Sequence, residues 1–113
     1  GRRMRAIHVP PRVVIDNRAS NTCTVVEING RDRPGLLHDV TAALSEQKLQ
    51  IASAHITTYG VRAVDVFYVK DLFGLKITDK GRLDALRTAL LSGLQEAEAA
   101  AQRRSSELES ITI

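Results

Sequence analysis

Asp32-Arg33-Pro34-Gly35-Leu36-Leu37 follows the apolar stretch Cys23-Thr24-Val25-Val26-Glu27-Ile28 and opens an amphipathic one, so it reads as a strand turning tightly into a helix. Pro34 suits the first helical position, where its missing N–H would have had no intrahelical partner, and Gly35 allows a close backbone approach that a side chain would block. Free amides at such a turn form a nest for an anion, for instance the carboxylate of a small metabolite. The same junction also serves as a plain structural connection.

Working outward, Leu36, Leu37, Val40, Ala43 and Leu44 recur at helical spacing and face inward, with Asp39, Glu46 and Lys48 outward, which predicts a helix from Pro34 to about Gln47. Upstream, Val13-Val14-Ile15 ends in the polar turn Asp16 to Asn21, and a second strand runs from about Thr22 to Asn29. So short a connection makes the pair an antiparallel hairpin, since parallel strands need a crossover of about a dozen residues. Downstream, Leu49 to Tyr59 and Val61 to Asp71 flank Gly60 as a second hairpin. Its second strand is apolar on both sides: Ala63, Phe67 and Val69 on one, Val64, Val66 and Tyr68 on the other. Helices can cover one face, so another surface is expected on the second. Leu83, Leu86, Leu90, Leu94 and Ala97 mark a helix starting near Asp79, with Thr78 or Asp79 as cap, and beyond Gln95 little remains to bury and the end should fray. The order is ββαββα, an α+β, ferredoxin-like arrangement with a four-stranded antiparallel sheet and two helices on one face, its last strand supplied from the N-terminal side. Ile111-Thr112-Ile113 is the alternative source of that strand.

With 113 residues, one compact domain is expected. Hydrophobic residues make up 43% and aromatic ones 4%, so the core is aliphatic, with Phe67, Phe73, Tyr59 and Tyr68 as its few large pieces. No run approaches the ~20 apolar residues of a membrane span, and the Arg-rich start lacks a signal-peptide core, which points to the cytoplasm. Cys23 alone can form no internal disulfide and reads as a core residue. The net charge of +3 becomes −1 once Arg2, Arg3, Arg5 and Arg12 are set aside. Without aromatic stacking platforms, four arginines fit a solvated tether from a preceding domain better than a nucleic-acid arm.

His38-Asp39 is the tempting catalytic doublet, but His8 and His55 have no ligand-like spacing with it, and it reads as the polar rim of a helix. His55, between Ala54 and Ile56, either occupies an outer sheet face or lines a site made with another copy. Asp65 lies among apolar residues and is either paired on the sheet or exposed at its edge; buried, it needs a donor. No P-loop, dinucleotide fingerprint or nucleophile elbow occurs, so no catalytic centre is expected in this chain.

Two motifs together carry a resemblance. Asp32 to Leu37, followed by Leu-x-Ile-x-x-Ala-x-Ile-x-Thr at Leu49, Ile51, Ala54, Ile56 and Thr58, resembles the ACT domain, the small-molecule-sensing module of amino-acid metabolism. Val13 to Asn17, Arg62 to Val69 and Asp71-Leu72-Phe73-Gly74-Leu75-Lys76-Ile77 are similar to the C-terminal ACT domains of bacterial bifunctional uridylyltransferase/uridylyl-removing enzymes. The resemblance implies residues 1–12 as a linker, 13–95 as the ACT domain and 96–113 as a helix extension with a flexible tail. It also implies a regulatory role: glutamine is sensed by a module whose parent enzyme attaches UMP to, and removes it from, the PII nitrogen-signalling protein. Any divalent metal (Mg) would belong to the parent's catalytic domains, and no cofactor is implied here. The implied ligand contacts are the backbone of Arg33, Pro34, Gly35, Leu36 and Leu37 for a carboxylate, Asp32 or Asn29 for an ammonium or side-chain amide, and Ala54, His55 and Ile56 of a second copy or of the preceding ACT domain closing the site. A free-standing metabolite-binding ACT protein is the alternative. Neither nucleic acid nor membrane is implied as a partner.

Overall fold

The computed structural model describes residues 10–111. Its elements are β1 (Arg12–Asp16), β2 (Thr24–Arg31), α1 (Leu36–Glu46), β3 (Leu49–Tyr59), β4 (Arg62–Asp71) and α2 (Lys80–Ile111). The sheet is antiparallel throughout, in the order β1-β2-β4-β3. β1 is an edge strand, Arg12 opposite Asn29 and Asp16 opposite Val25, so the N-terminal segment supplies the fourth strand as the short polar turn predicts. The alternative strand begins at Ile111, which ends α2, and its other two residues lie outside the described ones. Most of the basic arm, residues 1–9, lies outside them too.

Both helices pack on one face, α1 toward β3 and α2 toward β1. Between them and the sheet lies a single cluster that includes Val13, Val26, Ile28, Val40, Leu44, Phe67, Leu86 and Leu90. The strand period of two assigns Val64, Val66 and Tyr68 to the opposite face, where they are half-buried. Cys23 is buried, as expected.

Several expectations need correction. Of the four large aromatics only Phe67 is fully buried; Tyr59 is 65% and Phe73 89% exposed, and Tyr68 sits on the open face. Tyr59 ends an edge strand, and Phe73 lies in the tight turn after β4, where Asp71 Oδ1 accepts from the amides of Phe73 and Leu75 and Gly74 takes φ +80°. A turn closed on its own backbone leaves its side chains outside. α1 starts at Leu36, not Pro34, because Gly35 at φ +82° is its N-cap, which places Pro34 before the helix; Leu37 consequently faces solvent at 47% exposure. α2 runs past Gln95 as one helix to Ile111. Ala, Glu, Gln and Arg are strong helix formers, and Glu98 is buried with a carboxylate oxygen 3.9 Å from Arg31 Nη1, which gives the extension an anchor.

Local chemistry sets the junctions. Asp79 caps α2 by accepting from the amide of Arg82 at 2.8 Å. Arg82 Nη2 donates to the carbonyls of Gln47 and Lys48 at 3.1 and 3.3 Å, tying the end of α1 to the start of α2. Thr24 Oγ1 donates to Asn17 Oδ1 and accepts from the amide of Ile77, so one hydroxyl joins the β1–β2 turn to the approach of α2. β3 carries a bulge between Ile51 and Ser53. Leu49 and Ile51 therefore share the helix-facing side with Ala54 and Ile56, despite the change of parity.

Candidate functional site

The turn from β2 into α1 is held from two directions. The amide of Asp32 donates to the carbonyl of Val61 at 2.8 Å, binding the turn to the β3–β4 hairpin, and the amide of Leu36 donates to the carbonyl of Arg33 at 3.2 Å. The left-handed Gly35 then starts the helix, and its carbonyl accepts from Asp39 at 2.9 Å. No side chain caps α1. Among the described residues the amides of Gly35, Leu37 and His38 have no acceptor, so the positive end of the helix points unpaired donors outward. Arg33 adds no free cation, because its Nη2 lies 2.9 Å from Asp39 Oδ2, although no N–H points at that oxygen well enough for a hydrogen bond.

Under the turn is a cavity of about 300 Å³, at the small end of ligand pockets. Of the residues singled out from sequence, Asp32, Arg33, Gly35, Leu36, Leu37 and Ile56 line it together. Pro34 belongs to the turn but not to the wall. Ala54 shares the helix-facing side, opposite Phe67 and outside the cavity. Asn29 and His55 lie on the other side of the sheet: the side-chain Nδ2 of Asn29 donates to Glu27 Oε2 at 2.9 Å, and His55 makes an edge-to-face contact with Tyr68 at 5.8 Å. Within one chain, then, Asp32 reaches the cavity and Asn29 does not. His38 also lines it, while the neighbouring Asp39 turns to Arg33.

The residue missed from sequence is Asp65. It lies between Ile28 and Ile56 in the sheet register, on the helix-facing side, and is 1% exposed. Neither sequence alternative holds, since it is neither exposed at an edge nor fully paired: Oδ1 is buried without a hydrogen-bond partner. Burial, and then the nearby carboxylate of Asp32, push its pKa above the ordinary 3.8. The sequence signal was its parity with Ala63, Phe67 and Val69. Among the described residues no three His, Cys, Asp or Glu side chains converge as a metal site, and no helix is long and apolar enough to cross a membrane.

Comparison with known proteins agrees with this architecture. The family described as "ACR family N-terminal ACT domain" matches residues 19–96. The chain is 74% identical over 96 residues to a bifunctional uridylyltransferase/uridylyl-removing enzyme of Gluconobacter oxydans, covering 85% of this chain and 10% of that protein. The enzyme of the same name from Azospirillum brasilense is 60% identical over 97 residues, covering 86% and 10%. The chain thus spans about a tenth of the length of these curated relatives. Among solved structures, an unknown protein from Galdieria sulphuraria matches with a TM-score of 0.51 and 26% identity, over 62% of this chain and 37% of that one. The ββαββα sheet, the strand-to-helix turn and these matches lead to one assignment: the chain belongs to the ACT domains, in the family of the ACR N-terminal ACT domain, and is homologous to a region of the bifunctional uridylyltransferase/uridylyl-removing enzymes.

Proposed function

We propose that this domain senses a free amino acid, glutamine above others, on behalf of an enzyme that uridylylates and deuridylylates PII. The observation that carries the reading is the cavity beneath α1, where unpaired helix amides and carboxylates line one small space. A zwitterion is the ligand type that needs both. Its carboxylate meets the amides of Gly35, Leu37 and His38, and its cationic end meets Asp32. Ile56 lies on the exposed edge strand β3, so a second copy or a neighbouring ACT module added at that edge would close the cavity. Sensing follows if the ligand prefers one arrangement of modules over another. Divalent metal, Mg, and the phosphoryl chemistry belong to the catalytic domains of the longer protein.

The test is calorimetry with glutamine, glutamate and serine, on this chain and on a longer piece carrying the neighbouring ACT module. Saturable heat with glutamine, weaker with the other two, is expected. At about 100 times the dissociation constant, glutamine should add about 2.7 kcal/mol of apparent stability. No glutamine-dependent heat from either piece would refute the reading.

A further inference from the structure

We infer that Asp65 is the specificity-determining group of this site: its buried carboxylate accepts hydrogen bonds from the ammonium group of an α-amino acid whose own carboxylate faces the free amides of α1. The inference rests on the reading of the turn as an amino-acid site and adds the group that makes it choose amino acids over simple carboxylic acids.

Three observations on the structure lead there. First, Asp65 Oδ1 is an acceptor without a donor in a residue 1% exposed, and buried polar groups left unpaired are rare in folded proteins and costly. Second, Asp65 lines the cavity under α1 together with Asp32, so two carboxylates face one space that also holds the unpaired amides. Third, Arg33 lines the same cavity but sets its Nη2 2.9 Å from Asp39 Oδ2 and points its Nη1 at the carbonyl of Pro34, so no side chain among the described residues donates to Asp65 Oδ1. Asp65 is set opposite Ile28 and Ile56, whose side chains offer no hydrogen-bond donor. A ligand ammonium brings three donors and one positive charge. It would satisfy Oδ1 and relieve the repulsion between the two carboxylates.

The experiment compares L-glutamine with 4-carbamoylbutanoate, the same molecule without its α-amino group, on the 113-residue chain and on Asp65→Asn, by calorimetry. The wild type should prefer glutamine at least tenfold, the size expected of a charge-assisted hydrogen bond. Asp65→Asn should lose that preference, mainly through weaker glutamine binding, while its denaturation midpoint stays at or above that of the wild type. If the substitution prevents folding, the 13C resonance of the Asp65 carboxyl in the wild type replaces it, and should move with glutamine but not with the desamino acid. Equal binding of the two compounds by the wild type, or an unchanged preference in Asp65→Asn, would overturn the assignment while leaving the turn an amino-acid or carboxylate site. If the 113-residue chain binds neither compound, the same comparison is made on the longer piece carrying the neighbouring ACT module, and an absence of binding by both pieces would overturn both readings.

Discussion

Replacing Gly35 and Gly93 in turn by alanine separates backbone conformation from packing at the turn that builds the site. Gly35 holds φ +82° and ψ −2° as the N-cap of α1, and a Cβ built there meets nothing closer than Arg33 Nη1 at 3.8 Å. That is ordinary van der Waals contact, so a side chain would not crowd the protein, contrary to the crowding suggested by the sequence. The penalty is conformational: an L-residue in the left-handed region costs roughly 1–2 kcal/mol. Gly93, in the interior of α2, also has open space around its Cβ but has no positive φ. There alanine should stabilise by about 0.8–1 kcal/mol, the difference in helix propensity. The two substitutions add the same methyl group with opposite signs, a spread of roughly 2–3 kcal/mol from the same two terms. Urea denaturation with both variants, read by far-UV circular dichroism at constant slope, measures it. Gly35→Asn supplies an internal control, since asparagine tolerates the left-handed region and should lose less than alanine. If Gly35→Ala matches the wild type within ~0.3 kcal/mol, or if both alanines shift stability in the same direction, the turn does not depend on the left-handed N-cap.

Phe67→Ala should cost about 3–5 kcal/mol, enough to unfold much of the population at room temperature, whereas Phe73→Ser should leave the urea midpoint unchanged because Phe73 is in solvent. Asp79→Ala should lower stability by about 1 kcal/mol through loss of the bond to the Arg82 amide, and Asp79→Ser should recover most of it. Val64, Val66 and Tyr68 form an apolar row on the open sheet face on which a second copy of the chain is expected to pack, so Val66→Arg should weaken self-association in light scattering with little change in the thermal midpoint; a wild type that stays monomeric at high micromolar concentration would refute the expectation. Asp65 ionises at higher pH in the folded state than in the unfolded chain, so its contribution is full below 3.8 and is lost as pH rises through the raised folded value. Asp65→Asn should therefore flatten the fall in stability of the ligand-free protein above 3.8, measured by urea midpoints across the acid range.

The fold was legible because its decisive features are local. A six-residue polar turn between two β-rich runs allows only an antiparallel hairpin, and that hairpin makes the N-terminal segment the fourth strand. Asp79 before a leucine repeat marks the start of α2, and Gly35 marks the turn into α1 although it lies one residue outside the helix. Burial of the aromatics was not legible in the same way. Phe73 is as apolar as Phe67, and what separates them is the Asp71-centred turn, whose bonds back to Phe73, Gly74 and Leu75 close before the chain can fold its side chains inward.

For the site, the limit lay in the tertiary setting of an otherwise readable period. The bulge at Ala52 explains why the spacing Ile51-x-x-Ala54 replaces strict alternation, and it is this one extra residue that sends Ile56 toward the cavity and His55 to the opposite face. Three neighbouring residues that the sequence treats as one closing element thus divide between two faces of the sheet. Asp65 has the parity of Ala63, Phe67 and Val69, which is sufficient to place it on the helix side. Parity does not say which cations the helices bring over that row. Arg33 lines the same cavity but sets its guanidinium against Asp39, and the strand neighbours of Asp65 are two isoleucines, so Asp65 Oδ1 has no donor while the unpaired amides of α1 border the same space. A core that needed only stability would place an apolar residue at this position. The unmet acceptor beside unmet donors is the arrangement on which the proposed amino-acid site rests.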